Sequence, residues 1–157
     1  MKKFDVAVEV EQLNYDELTS EEAKLVLMAQ SATFNSYAPY SKFNVGAAIL
    51  LSNGEIVTGS NQENVAFPSG TCAERTAAFY AHAAYPKETF KMIAIAARGT
   101  DGEALAEPIP PCGACRQSLL EFEMLAKEDV KVLLIGKDFI YRLPSVHSLL
   151  PLAFSNF

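Results

Sequence analysis

Apolar and polar positions alternate over residues 4–13, with Phe4, Val6, Val8 and Val10 on one face and charged side chains partly on the other. That period of two predicts a strand at the edge of a sheet. Thr19-Ser20-Glu21-Glu22 then reads as a helix start with acids in the first turn. Ala23, Val26, Leu27 and Gln30 continue at helical spacing until Pro39 ends the run. Residues 44–51 are an apolar, Gly/Ala-rich strand, Ser52-Asn53-Gly54 is a turn, and residues 55–60 return, so the two strands form a hairpin. Residues 72–85 read as a helix stopped by Pro86, and residues 92–97 as a short, fully apolar strand. A loop containing Gly99, Gly102, Pro108, Pro110 and Pro111 leads to a helix over 113–127 and a buried strand over 131–135. Strand–helix–strand–helix–strand after an antiparallel hairpin predicts the α/β class, with a mixed sheet carrying helices on both faces.

Length and charge narrow the picture. At 157 residues the chain fits a single domain, 1–157, and it has no internal repeat, low-complexity tract or long linker. The balance of 13 basic to 19 acidic residues leaves a formal charge of −6. Such a chain lacks the basic footprint of a nucleic-acid or anionic-membrane partner, and a small, largely uncharged substrate suits it better. The N-terminus shows no signal-peptide core and no apolar run approaches the length of a membrane span, so the cytoplasm is the expected location.

The chemistry concentrates in Thr71-Cys72-Ala73-Glu74-Arg75 and Pro111-Cys112-Gly113-Ala114-Cys115-Arg116-Gln117, which use all three cysteines. An odd, low count is no disulfide framework and fits a reducing compartment. Three thiolates leave a tetrahedral zinc one ligand short, and an open position is the mark of a catalytic site, whereas structural sites are closed by four protein ligands. Both segments fall at expected helix N-termini, where partial positive charge favours the thiolate. Arg75 and Arg116 are close enough in sequence to hydrogen-bond the sulfurs and offset their excess charge. Glu74 lies two positions from Cys72, so on a helix the two side chains diverge. It suits a proton carrier better than a fourth ligand. Other readings stand beside these: a redox dithiol at Cys112-x-x-Cys115, or a first-turn acid at Glu74 that merely complements the helix dipole. His82 and His147 have no ligand-like spacing and read as helix-face or surface residues.

Cys72-Ala73-Glu74 with Pro111-Cys112-x-x-Cys115 matches the three-cysteine form of the zinc nucleobase deaminase signature. With Tyr40-Ser41-Lys42-Phe43-Asn44-Val45-Gly46-Ala47-Ala48, Gly59-Ser60-Asn61-Gln62-Glu63-Asn64 and the tail Leu149-Leu150-Pro151-Leu152-Ala153-Phe154, the chain resembles the small, homotetrameric cytidine deaminases over residues 23–154. The resemblance implies a three-layer α/β/α fold with a mixed five-stranded sheet and one zinc ion per chain held by Cys72, Cys112 and Cys115. The expected reaction is hydrolytic deamination of cytidine or deoxycytidine to uridine or deoxyuridine plus ammonia, in pyrimidine salvage, with Glu74 carrying protons. It further implies that Asn61 and Glu63 bind the ribose hydroxyl, Phe43 packs on the pyrimidine, and the Ala73 amide faces the 2-carbonyl oxygen. Arg75 hydrogen-bonds the thiolates, and Phe154 stacks on the base in a neighbouring subunit's site. A deaminase of a blasticidin-type nucleoside antibiotic shares the three-cysteine site, although Asn61-x-Glu63-Asn64 favours a plain ribonucleoside. From another class, a structural zinc closed by a partner's residue would make the chain a binding module. Two stretches exceed the family's core: the N-terminal extension 1–18, to which no role attaches, and the loop 98–110.

Overall fold

The structure, a computed structural model, describes residues 1–155. Its strands are β1 (Glu11–Leu13), β2 (Asn44–Leu51), β3 (Ile56–Ser60), β4 (Phe90–Arg98), β5 (Lys131–Ile135) and β6 (Ile140–Leu143). Its helices are α1 (Ser20–Ala32), α2 (Ala73–Ala84) and α3 (Gly113–Ala126). The strands form one sheet in the order β1-β6-β5-β4-β2-β3. β4 and β5 pair in parallel, and every other neighbouring pair is antiparallel. The central strands are apolar on both faces because both are covered. Ile93 and Ile95 of β4 pack with Ala77 of α2 and Leu119 of α3, whereas Met92, Ala94 and Ala96 meet Leu25, Val26 and Ala29 of α1. The result is the expected α/β/α arrangement, with α2 and α3 on one face and α1 on the other.

The sheet has six strands where five were expected. β6 extends it beyond β5, and β1 adds to β6 through Glu11↔Arg142, Gln12↔Tyr141 and Leu13↔Ile140. The strand expected over residues 4–13 shrinks to β1, and residues 1–10 join no strand or helix. The cause lies in the partner: β6 stops at Leu143, and Pro144 has no N–H with which to continue a ladder.

α1 begins as expected. The Thr19 hydroxyl accepts from the Glu22 amide (3.2 Å), while the Glu22 carboxylate accepts from the Thr19 amide (3.0 Å). It ends at Ala32, well before Pro39, because the Thr33 hydroxyl donates to the Gln30 carbonyl (2.6 Å) and a 3-10 turn, Thr33–Asn35, follows. The fully buried Glu22 carboxylate is held by the Lys131 ammonium at 2.8 Å and Arg142 at 3.3 Å. The loop 98–110 folds back on the end of β4, where the Gly99 amide donates to the Glu103 carbonyl (2.9 Å).

Two glycines set how close the layers come. A Cβ at Gly46 would meet the Ala29 carbonyl and the Thr33 amide, and one at Gly59 would meet the backbone of Ala73 and Ala77. β3 therefore lies directly against the start of α2, which is where the cysteine chemistry sits.

Candidate active site and metal centre

Cys72 is the N-cap of α2, Cys112 is the N-cap of α3, and Cys115 lies in the first turn of α3. The sheet brings the two helix starts together, so that the three sulfurs lie within 4.8 Å of one another. They form the one cluster among the described residues able to hold a metal through thiol, imidazole or carboxylate groups. Cys112 is exposed, Cys72 half-buried and Cys115 buried. The sulfurs compete for ionisation, with Cys72 favoured and Cys115 disfavoured. The Cys115 thiol, with Arg75, holds Cys72 down at about 5 against the effect of burial. The Cys115 thiol is pushed up by Cys72, by burial and by Glu74. A divalent cation relieves that conflict, so the donor set fits zinc, and three thiolates leave one position for water.

Glu74 is almost fully buried at the second residue of α2 and stands outside the cluster of sulfurs. Burial first, and the charge of Cys72 as well, push its carboxyl above the usual range. The Arg75 guanidinium donates to the Cys72 sulfur through Nη2 (3.8 Å), while its Nε is buried without a partner. Arg116, expected beside the sulfurs, goes elsewhere. Its Nε donates to the Pro111 carbonyl (2.7 Å) and its Nη1 to the Leu149 carbonyl (2.9 Å). It braces the loop before Cys112 and joins it to the C-terminal tail.

A cavity of about 590 Å³ opens over Cys72 and Arg75 and is walled by Asn61, Glu63, Tyr40 and Phe67. Glu63 accepts from the backbone amides of Tyr40 (2.9 Å) and Ser41 (3.3 Å). A further hydrogen bond from the Ser41 side chain leads the effects that keep Glu63 below the usual carboxylate range. The Asn61 side chain accepts from the Val45 amide (2.8 Å) and donates to the Phe43 carbonyl (2.9 Å). Together they pin residues 40–45, including Lys42 in the left-handed region at φ 59°. The backbone bridge Gln62↔Thr71 ties this segment to the residue before Cys72.

Residues 19–129 match the family described as the cytidine and deoxycytidylate deaminase zinc-binding region. The chain belongs to this family. Among curated relatives, the cytidine deaminase of Halalkalibacterium halodurans is 37% identical over 83% of this chain and 92% of its own length. The probable cytidine deaminase of Dictyostelium discoideum is 38% identical over 92% of this chain and 88% of its own. The crystal structure of cytidine deaminase from Burkholderia pseudomallei superposes with a TM-score of 0.71, at 38% identity, over 87% of this chain and all of that one. In a zinc-binding deaminase domain, the three clustered thiols provide for one zinc ion per chain.

Besides Cys112 and Cys115, which complete the sulfur cluster, the expected deaminase-family site residues divide into four groups. Asn61, Glu63, Cys72 and Arg75 line the cavity. Ala73 and Glu74 are buried directly behind it at the start of α2. Phe43 is half-buried and contributes its carbonyl to Asn61. Phe154 does not line the cavity of its own chain. Its ring is 69% exposed, and its carbonyl accepts from the Gln117 side chain (2.9 Å). Phe157, a further apolar residue beyond that tail, lies outside the described residues. Residues 98–110 contribute nothing to the cavity wall. Sequence reasoning gave no role to Phe67, which meets Tyr40 edge to face with ring centroids 5.6 Å apart. The two rings come from separate loops, and no spacing rule joins them.

Proposed function

We propose that this chain catalyses the hydrolytic deamination of cytidine and deoxycytidine to uridine and deoxyuridine, with release of ammonia, in pyrimidine salvage. The observation that carries the reading is the set of three converging thiols, one of which, Cys72, opens into a cavity walled by Asn61 and Glu63. Cys72, Cys112 and Cys115 would hold the zinc, which when bound supplies a water acidified to near neutrality. Glu74 would take one proton from the attacking water and deliver it to N3 as the water oxygen bonds to C4, then carry the remaining hydroxyl proton to the amine as the C4–N bond breaks and ammonia leaves. Its buried position favours the protonated state it must pass through. Ala73 is the first residue of α2, so its amide has no partner within the helix, which supports its proposed role as donor to the 2-carbonyl oxygen. Asn61 and Glu63 take the ribose hydroxyl, Phe43 packs on the ring, and Arg75 offsets thiolate charge.

The same reading makes residues 1–157 one catalytic domain acting in the cytoplasm, where free thiols stay reduced. It also makes the chain a homotetramer with shared sites. Leu152 and Phe154, 83% and 69% exposed, form an apolar tail outside their own cavity and are the part a neighbour's pocket would use. The test is loss of cytidine absorbance on addition of the zinc-loaded protein. Turnover of cytidine is expected, with far slower use of cytosine and of the 5′-monophosphate. A zinc-loaded protein inert towards cytidine would return the chain to the antibiotic-deaminase or structural-zinc readings.

A further inference from the structure

Residues 1–10 precede the stretch that matches the deaminase family. They run into β1 at the outer edge of the sheet and join no element of their own chain. Their pattern is nevertheless that of a strand. Phe4, Val6, Val8 and Val10 share one face and are 75%, 50%, 40% and 49% exposed. Four consecutive same-face apolar residues left in water are a strand lacking its partner. The chain's own β6 cannot supply that partner, because it ends at Leu143 before Pro144.

We propose that this arm pairs antiparallel with the arm of a second copy of this chain, in the register that sets Val6 opposite Val6. The argument is complementarity within the segment itself. In that register Phe4 faces Val8 on one face of the ribbon, twice by symmetry, and the two Val6 side chains meet at its centre. On the other face Lys3 stands opposite Glu9, again twice, and Asp5 opposite Ala7. Moving the register so that Val6 meets Val8 keeps the apolar face but sets Asp5 against Glu9, two like charges directly opposed. A slip by one residue sets apolar positions against charged ones. A second copy is therefore the partner whose pattern answers this one, and the contact is isologous, as a two-fold axis requires. The arms carry each sheet edge outward and join it to that of a neighbouring copy through main-chain pairing. A two-stranded ribbon is marginal alone, so the pairing tightens an association that other surfaces also support.

Single-cysteine substitutions in the zinc-loaded protein test this directly, with the unsubstituted protein under mild oxidation as the control for the three native thiols. Val6→Cys is expected to form a disulfide-linked dimer in high yield. Phe4→Cys and Val8→Cys are each expected to do so poorly alone but efficiently when mixed. Lys3→Glu should lower the Val6→Cys cross-linking several-fold, and adding Glu9→Lys to it should restore the yield. Cross-linking at Val6 no better than in the control, or equal homodimer yields at positions 4, 6 and 8, would overturn the pairing. All the changes lie on an exposed arm, so deaminase activity should stay near the unsubstituted level and reports that the fold is intact.

Discussion

At the scale of single residues, two side chains two positions apart are set in different surroundings. Cys72 at the helix cap belongs to the metal cluster, whereas Glu74 is buried and is the residue proposed to carry protons. Glu74→Gln should keep zinc and thermal stability but lower kcat by about 10³-fold, since general acid–base transfer is typically worth ~10²–10⁴. Near-normal turnover by steady-state assay would leave Glu74 as a helix-start acid. Cys112→Ala should lose metal and activity together, as read by elemental analysis beside the cytidine assay. Glu63 bears on the choice of substrate. A pocket built to hydrogen-bond a sugar hydroxyl leaves polar groups unpaired when the sugar is missing, so kcat/KM for cytosine should fall about 10⁴-fold below that for cytidine. Equal rates would mean that Asn61 and Glu63 serve only to pin residues 40–45. The cluster of Cys72, Cys112 and Cys115 was legible because short spacings mark the two helix starts that carry it. Arg116 was misread for the same reason: proximity in sequence to Cys115 says nothing about a guanidinium that reaches across to Leu149.

At the scale of elements, the packing of β3 and α1 decides how firmly the site is held. The segment Gly59-Ser60-Asn61 was legible as part of a deaminase-like motif, but the need for glycine at its head comes from α2 lying against it. Gly59→Ala should push the Ala73 and Ala77 backbone away and cost about 1–3 kcal/mol, measured by urea unfolding. Because Ala73 adjoins Cys72, zinc affinity should weaken as well. The other anchor is electrostatic. Burial alone would raise the Glu22 carboxyl, but hydrogen bonds from Lys131 and Thr19 and the Lys131 charge override it and hold it at about 2 against an ordinary 4.5. A group with a depressed pKa contributes stability that is fully present above about pH 4.5 and is lost as pH falls towards 2. Glu22→Gln should therefore be less stable than the unsubstituted protein at pH 7, and the difference should shrink across that acid window. A gap independent of pH would assign Glu22 a packing role alone. β6 escaped notice because four residues, Ile140 to Leu143, carry too little periodicity. The strand expected over residues 4–13 was overextended because alternation cannot reveal where a partner strand stops.

At the scale of the whole molecule, the tail and the arm point outward from opposite ends of the described chain. Deleting residues 154–157 should weaken cytidine binding and subunit association together while zinc stays bound, measured by KM, sedimentation and elemental analysis. A truncated protein with unchanged KM would show that the site is complete within one chain. The three-layer order was legible from the alternation of strand and helix signals after residue 44, whereas the outward placement of Phe154 was expected only through the family resemblance. That placement depends on the Gln117 contact and the path of residues 147–154, which no local pattern encodes.

The guanidinium of Arg116 holds two carbonyls at once, one just before Cys112 and one in the tail. Under the proposed assembly, in which the tail reaches a neighbouring copy, this bridge would make metal loading and association linked quantities. Linkage is reciprocal: if zinc tightens subunit association by some factor, association tightens zinc by the same factor. Dilution should then loosen the metal, and chelation should loosen the oligomer. Arg116→Met should leave each equilibrium measurable but independent of the other, as titrations of zinc release at several protein concentrations will reveal. The protein would in that sense sense its own concentration, holding its metal most tightly where copies of the chain are abundant.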